Sequence, residues 1–188
     1  MAYLILEGSA RPDSRTGLVA RHLAGALEET AGQAVQRLQP GSHLDALMDG
    51  TVAGGPVEAF RPVVERVGAA EGVILVTPEY HGSYSAVVKL VLDNLGYPSV
   101  LRGKPVGVVA LGAARFAGTR AADALLSVLA HIRARPFGRY LFFPAIQEQL
   151  SEAGDLHNPE LQAEVADYIA EFHHFCSCTH EAERRSVS

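Results

Sequence analysis

The stretch Leu4-Ile5-Leu6-Glu7-Gly8-Ser9-Ala10-Arg11-Pro12-Asp13-Ser14-Arg15-Thr16 decides the fold, because it runs from a short apolar strand straight into a polar loop and a coming helix. Its hydroxyls and guanidinium stand beside a helix N-terminus, where unpaired backbone N–H groups and the helix dipole favour an anion such as phosphate. A second unit has the same form. Val73-Ile74-Leu75-Val76-Thr77 leads directly into Pro78-Glu79-Tyr80-His81-Gly82-Ser83-Tyr84-Ser85. Here a Pro-Glu-Tyr wall and a Gly-Ser backbone suit a flat polar ring.

Further strands are read at Pro105 to Leu111 and Tyr140 to Phe143, with a weaker one at Ala34 to Leu38, and the first and third run from Tyr3 to Leu6 and Gly72 to Thr77. Their near-continuous Val, Ile and Leu content suits parallel strands covered on both faces. Apolar residues at helical spacing lie between them: Val57, Phe60, Val63, Val64 and Val67; Val87, Leu90, Val91 and Leu95; Leu125, Val128, Leu129 and Ile132. A last helix is expected from about Pro159 to Phe175, with Leu161, Val165, Tyr168, Ile169 and Phe172 on one side. Strict alternation of strand and helix predicts an α/β protein: a flavodoxin-like three-layer sandwich whose five-stranded parallel sheet has the order 2-1-3-4-5. In that order the chain switches direction between strands one and three. The two marked loops and the loop Gly112 to Gly118 then line one crevice. No G-x-G-x-x-G follows the first strand, so a mononucleotide fits better than a dinucleotide.

A chain of 188 residues with 48% hydrophobic content reads as one globular domain over 1–175, followed by a flexible tail over 176–188. A net charge of -5, with no run of Lys and Arg, argues against a nucleic-acid partner. The apolar runs are too short for a membrane span and no basic, apolar leader opens the sequence, which points to a cytoplasmic protein. Cys176 and Cys178 do not form the spread-out framework of a secreted scaffold. With His173, His174 and His180 they also lack the ligand spacing of a closed zinc site, so no metal is expected there.

On these marks the chain resembles the NADPH-dependent FMN reductase family over nearly its whole length. G-S-x-R-x-x-S is present as Gly8, Ser9, Arg11 and Ser14; P-E-Y-[NH]-G-S as Pro78 to Ser83, before a helix with Lys89 and Asp93; and K-P-V as Lys104-Pro105-Val106. The chain departs from the pattern at Ser85-Ala86, where many relatives have Pro-Gly. It departs again at Asn94, where a Trp often follows, and at Ala117-Gly118, where a Gly-Gly pair often stands. The resemblance implies an FMN-binding oxidoreductase using NADPH or NADH. Hydride passes to flavin N5 and then, ping-pong, to a second acceptor such as free flavin, a quinone, an azo compound or a metal oxyanion. It also implies a homodimer or homotetramer, and admits a flavin-dependent monooxygenase as partner.

Residue by residue, Ser9, Arg11 and Ser14 are assigned to the phosphate, because three polar groups beside free helix donors exceed what a cap needs. Thr16 fits a cap as well as it fits the phosphate. Pro78, Glu79, Tyr80, His81, Gly82 and Ser83 are assigned to the ring, and Gly112 and Arg115 to its other edge, although Arg115 also fits a solvated or subunit-contacting role. Lys89 and Asp93, four apart on a helix, read as a solvated pair at about 0.3 kcal/mol. Arg102, Arg115 and Arg120 are the candidates for reading a nucleotide 2′-phosphate. No protein group is expected to act as a catalytic residue, since the chemistry belongs to the cofactor. The alternative reading is a non-catalytic FMN electron carrier or redox sensor built on the same cradle.

Overall fold

Buried β-branched runs separated by helices form one parallel sheet in the computed structural model, which describes residues 2–49, 56–116, 118–151 and 153–187. The elements are β1 (Tyr3–Glu7), α1 (Arg15–Ala31), β2 (Val35–Leu38), α2 (Leu44–Asp49), α3 (Arg61–Ala69), β3 (Gly72–Pro78), α4 (Ala86–Asp93), β4 (Pro105–Leu111), α5 (Thr119–His131), β5 (Arg135–Phe143) and α6 (Pro159–Val187). The strand order is β2-β1-β3-β4-β5, the flavodoxin order, and every pair is parallel.

Side chains alternate across the sheet, as strand geometry demands. Tyr3, Ile5, Ile74, Val76, Val109 and Leu111 meet α1 and α6. Leu4, Leu6, Val73, Leu75, Val106 and Val108 meet the helices on the other face. Every residue of β1, β3 and β4 is buried, so the sheet edges nearest the functional loops are held rigidly from both sides. Two glycines let α6 lie close: a Cβ on Gly107 would come within 2.5 Å of the Tyr168 hydroxyl, and one on Gly72 within 2.8 Å of Cys176 Sγ.

Several details differ from the sequence reading. The crossover from β2 to β3 contains two short helices, α2 and α3, with Pro62 in the first turn of the second. The buried face of α4 is Val88, Val91 and Leu92, continued by Leu95, with Val87 and Leu90 only half-buried, because Ser85 caps the helix and sets its phase. Strand β5 begins at Arg135 rather than Tyr140; its Pro136 and Gly138 are tolerated because it is an edge strand. Lys104 of the K-P-V mark is structural. Its ammonium donates to Gly68 O at 2.7 Å and Ala70 O at 2.8 Å at the end of α3, and burial lowers its pKa.

The largest correction concerns residues 176–188, expected as a flexible tail. Helix α6 does not stop at Phe175 but continues to Val187, while Ser188 lies outside the described residues. The extra turns have packing partners. Cys176 is fully buried, Thr179 nearly so, and His180 Nε2 donates to Glu71 O at 2.9 Å. His173 is likewise paired, its Nδ1 2.7 Å from the Tyr3 hydroxyl. Burial pushes the Cys176 thiol up to about 12, whereas Cys178 is exposed. An aromatic disulfide reagent should therefore titrate one thiol, Cys178, in the native protein and both in denaturant, because only an ionised, accessible thiol reacts. Two fast-reacting thiols in the native protein would mean that the end of α6 is not docked.

Candidate functional site

At the carboxyl edge of the sheet, the loops after β1, β3 and β4 converge where the strand order reverses, the place where open α/β sheets take ligands. The loop after β5 joins them. Together they line a cleft of about 870 Å3, within the usual range for a small-molecule or cofactor site.

The first loop is fixed from below. Gly8 N donates to Val76 O at 2.7 Å, and a Cβ at Gly8 would stand 2.6 Å from that same oxygen, so only glycine lets the chain pass there. Ser85 Oγ donates to Gly8 O at 2.6 Å and accepts from Val88 N at 3.3 Å, capping α4 while it ties the first loop to the second. Thr77 Oγ1 accepts from Ser85 N at 3.1 Å and closes the knot. Ser85 was read from sequence as the end of the second loop and as a departure from a Pro-Gly pair, not as a helix cap. A serine just before an apolar helical stripe is the signal that marks such a cap.

Ser14 is the N-cap of α1, with its Oγ accepting from Gly17 N at 3.0 Å. That leaves the Arg15 and Thr16 N–H groups with no acceptor among the described residues. The Thr16 hydroxyl also has no partner among them, although the residue is only 3% exposed and lines the cleft. Arg11 is exposed, lines the cleft, and sends Nη2 to the Tyr80 hydroxyl at 3.5 Å, spanning the first and second loops. Ser9 is buried behind this wall and not among the residues lining the cleft; its Oγ accepts from Arg11 N at 3.3 Å and shapes the loop.

In the second loop Tyr80 and Ser83 exchange two backbone bonds of 2.9 and 3.0 Å around His81 at φ 49° and Gly82 at φ 76°. Two successive left-handed residues make a type I′ turn, which needs glycine at one position and tolerates His at the other. The His81 and Gly82 N–H groups at its tip have no acceptor among the described residues. Pro78, Glu79 and Tyr80 line the cleft, whereas His81, Gly82 and Ser83 do not. The Glu79 carboxylate takes its partners from outside the cleft lining. Only 6% exposed, it accepts from Gly118 N at 2.6 Å and pairs with Arg120 at 2.8 Å. Gly112 lines the cleft and Arg115, exposed on the third loop, does not; Ala117 of that loop lies outside the described residues. Lys89 and Asp93 pair on the exposed face of α4 at 2.6 Å, clear of the cleft.

Sequence reasoning missed the loop after β5. Ile146, Gln147, Leu150 and Ser151 line the cleft, and the loop is tied to the third by Ile146 N to Gly112 O at 3.0 Å and Gln147 Nε2 to Ala113 O at 3.1 Å. Fifteen residues separate Phe143 from Pro159, and connections of that length commonly carry function.

A family model described as NADPH-dependent FMN reductase matches residues 1–149. The chain belongs to that family. As a member it is an oxidoreductase enzyme whose cofactors are FMN and NAD(P)H. An NADPH azoreductase from Bacillus sp. (strain OY1-2) is 28% identical over 171 residues, 90% of this chain and 92% of that protein. An FMN-dependent NADPH-azoreductase of Staphylococcus haemolyticus (strain JCSC1435) is 33% identical over 118 residues, 58% of this chain and 59% of that protein. Among solved structures, an oxidoreductase from Corynebacterium diphtheriae shares the fold with a TM-score of 0.77 at 19% identity, covering 96% of this chain and 98% of that one.

Within this reductase the Ser85 knot carries a stability cost that is open to measurement. Ser85→Ala removes a helix cap and leaves the buried Gly8 carbonyl without its donor. Urea unfolding should show a loss of about 1 to 3 kcal/mol. An unchanged midpoint would show that the bond to Gly8 O contributes nothing.

Proposed function

We propose that this flavoenzyme holds FMN in the switch-point cleft and uses NADPH to reduce a small aromatic acceptor, azo compounds being the class that its named relatives suggest. The observation that carries the reading is the unsatisfied donor set at the start of α1: two backbone N–H groups and the Thr16 hydroxyl, with the Arg11 guanidinium on the same cleft. Helix N-terminal N–H groups that open onto a cleft beside a hydroxyl and a guanidinium favour an anion of phosphate size.

The residues present fit FMN. Thr16 and the α1 N-terminus hold the phosphate, with Arg11 adding a charge-assisted bond and Ser14 still able to donate its hydroxyl proton. The phosphate role assigned to Ser9 is one of shape, because Ser9 sets the path of Arg11. For the ring, Pro78, Tyr80 and Gly112 supply a wall, and the free His81 and Gly82 N–H groups are the donors nearest to hand. When bound, FMN supplies the redox chemistry, accepting hydride from NADPH and returning electrons to the acceptor. The protein orients the partners and shields the reaction from water. NADPH and acceptor take the same cleft in turn, which gives ping-pong kinetics.

No helix among the described residues is long and apolar enough to cross a membrane. The proposal includes a cytoplasmic setting and pairing of copies, for which exposed Met48 and Tyr97 supply apolar surface.

Titration of FMN with the protein, followed by quenching of flavin fluorescence, tests the phosphate assignment. Arg11→Ala should weaken binding by roughly 1.5 to 3 kcal/mol, about ten- to a hundredfold, and Thr16→Val by about 0.5 to 1.5 kcal/mol. Wild-type affinity in both variants would move the phosphate elsewhere.

A further inference from the structure

The adenosine end of NADPH must leave the cleft over one of its rims, and charge distinguishes them. The loop after β5, residues 144–158, contains no Lys or Arg and carries Glu148, Glu152 and Asp155 in its sequence, so it disfavours a phosphate dianion. The first loop is committed to FMN on the reading above, on which this inference rests. Remaining is the rim formed by the His81–Gly82 turn, the third loop and the start of α5.

Of the three arginines that the sequence offers, Arg102 precedes β4 and therefore lies at the opposite edge of the sheet from the cleft. Arg115 is exposed on the third loop and has no partner among the described residues to hold it. Arg120 is different. It sits in the first turn of α5, and its Nη2 is 2.8 Å from the nearly buried Glu79 carboxylate. Its Nε would be 3.3 Å from a Cβ on Gly82, so the side chain passes directly over the turn. The Arg120 side chain is nevertheless 65% exposed, and only one of the five guanidinium donors is engaged in the ion pair. Glu79 does not cancel this charge outright, because it also accepts from Gly118 N at the positive end of α5. The helix offers no side-chain cap of its own, and the Glu79 carboxylate fills that role from another loop.

We propose that Arg120, anchored by Glu79 at the turn-and-third-loop rim, reads the 2′-phosphate of NADPH and so sets the preference for NADPH over NADH. Glu79 is then a positioning residue, not a flavin ligand. It fixes the arginine and the spacing between the turn and the third loop together.

The test measures kcat/KM for NADPH and for NADH, and binding of adenosine 2′,5′-bisphosphate to the FMN-loaded protein by calorimetry, in wild type, Arg120→Ala, Arg120→Lys and Glu79→Gln. The expected result is a fall of at least tenfold in the NADPH/NADH ratio for Arg120→Ala, with the bisphosphate affinity falling in parallel. Arg120→Lys should recover part of both, and Glu79→Gln should fall between. An unchanged ratio in Arg120→Ala and Arg120→Lys, or equal losses with both nucleotides, overturns the assignment. FMN retention, read from the visible spectrum of each variant, separates this failure from failure of the flavin site. Wild type that binds FMN while the ratio stays fixed refutes only the Arg120 role, and wild type that binds none refutes both.

Discussion

The cleft depends on one contact between strands that are far apart in sequence. At the reversal of strand order Gly8 must pass against Val76, and its carbonyl must then be met by Ser85 across the turn of the chain. Side chains are excluded there by sterics: a Cβ on Gly8 would also stand 2.7 Å from Val88 Cγ2. From this knot the first loop runs to the N-terminus of α1 and the second to its tight turn, so the N–H donors at the start of α1 and the Pro78–Tyr80 wall are fixed in one frame. A preformed frame of this sort lowers the ordering cost of binding, which is where affinity for a flat, charged cofactor is won or lost.

The loops are then braced against each other. Glu79 reaches from the second loop to cap α5, and the loop after β5 bonds to the third through Gly112 and Ala113. On the α1 side the same loop is held by His22 Nε2, which donates to Gly154 O at 2.8 Å. Glu79, Gly112, Ala113, Ile146 and Gln147 line the cleft themselves, whereas His22, Gly154 and Ser85 support it from outside. The Glu79 and Ser85 side chains are nearly fully buried, so their hydrogen bonds are shielded from water and hold the lining in place.

Much of this was legible in the sequence. Unbroken Val, Ile and Leu runs mark β1, β3 and β4, because both faces of those strands are covered and no polar alternation dilutes the signal. Their order placed the two marked loops together before any coordinate did. Edges were harder. Strand β5 begins with Arg135, Pro136 and Gly138, which a central strand would not tolerate, and only its position at the sheet edge makes them acceptable. The end of α6 was hidden for a related reason: its buried residues after Phe175 are Cys176 and Thr179, too small and too few to show as an apolar stripe. At the site, residue types identified the loops but not the direction of each side chain. Nothing in Pro-Glu-Tyr says that the glutamate turns toward a helix start 39 residues away.

The most direct measurement of the central claim is an anaerobic visible spectrum of the purified protein with one equivalent of FMN, followed through stepwise addition of NADPH. The account predicts a perturbed, protein-bound flavin spectrum that bleaches stoichiometrically within the enzyme's turnover time. A spectrum identical to that of free FMN, or bound flavin left oxidised by excess NADPH, would contradict it.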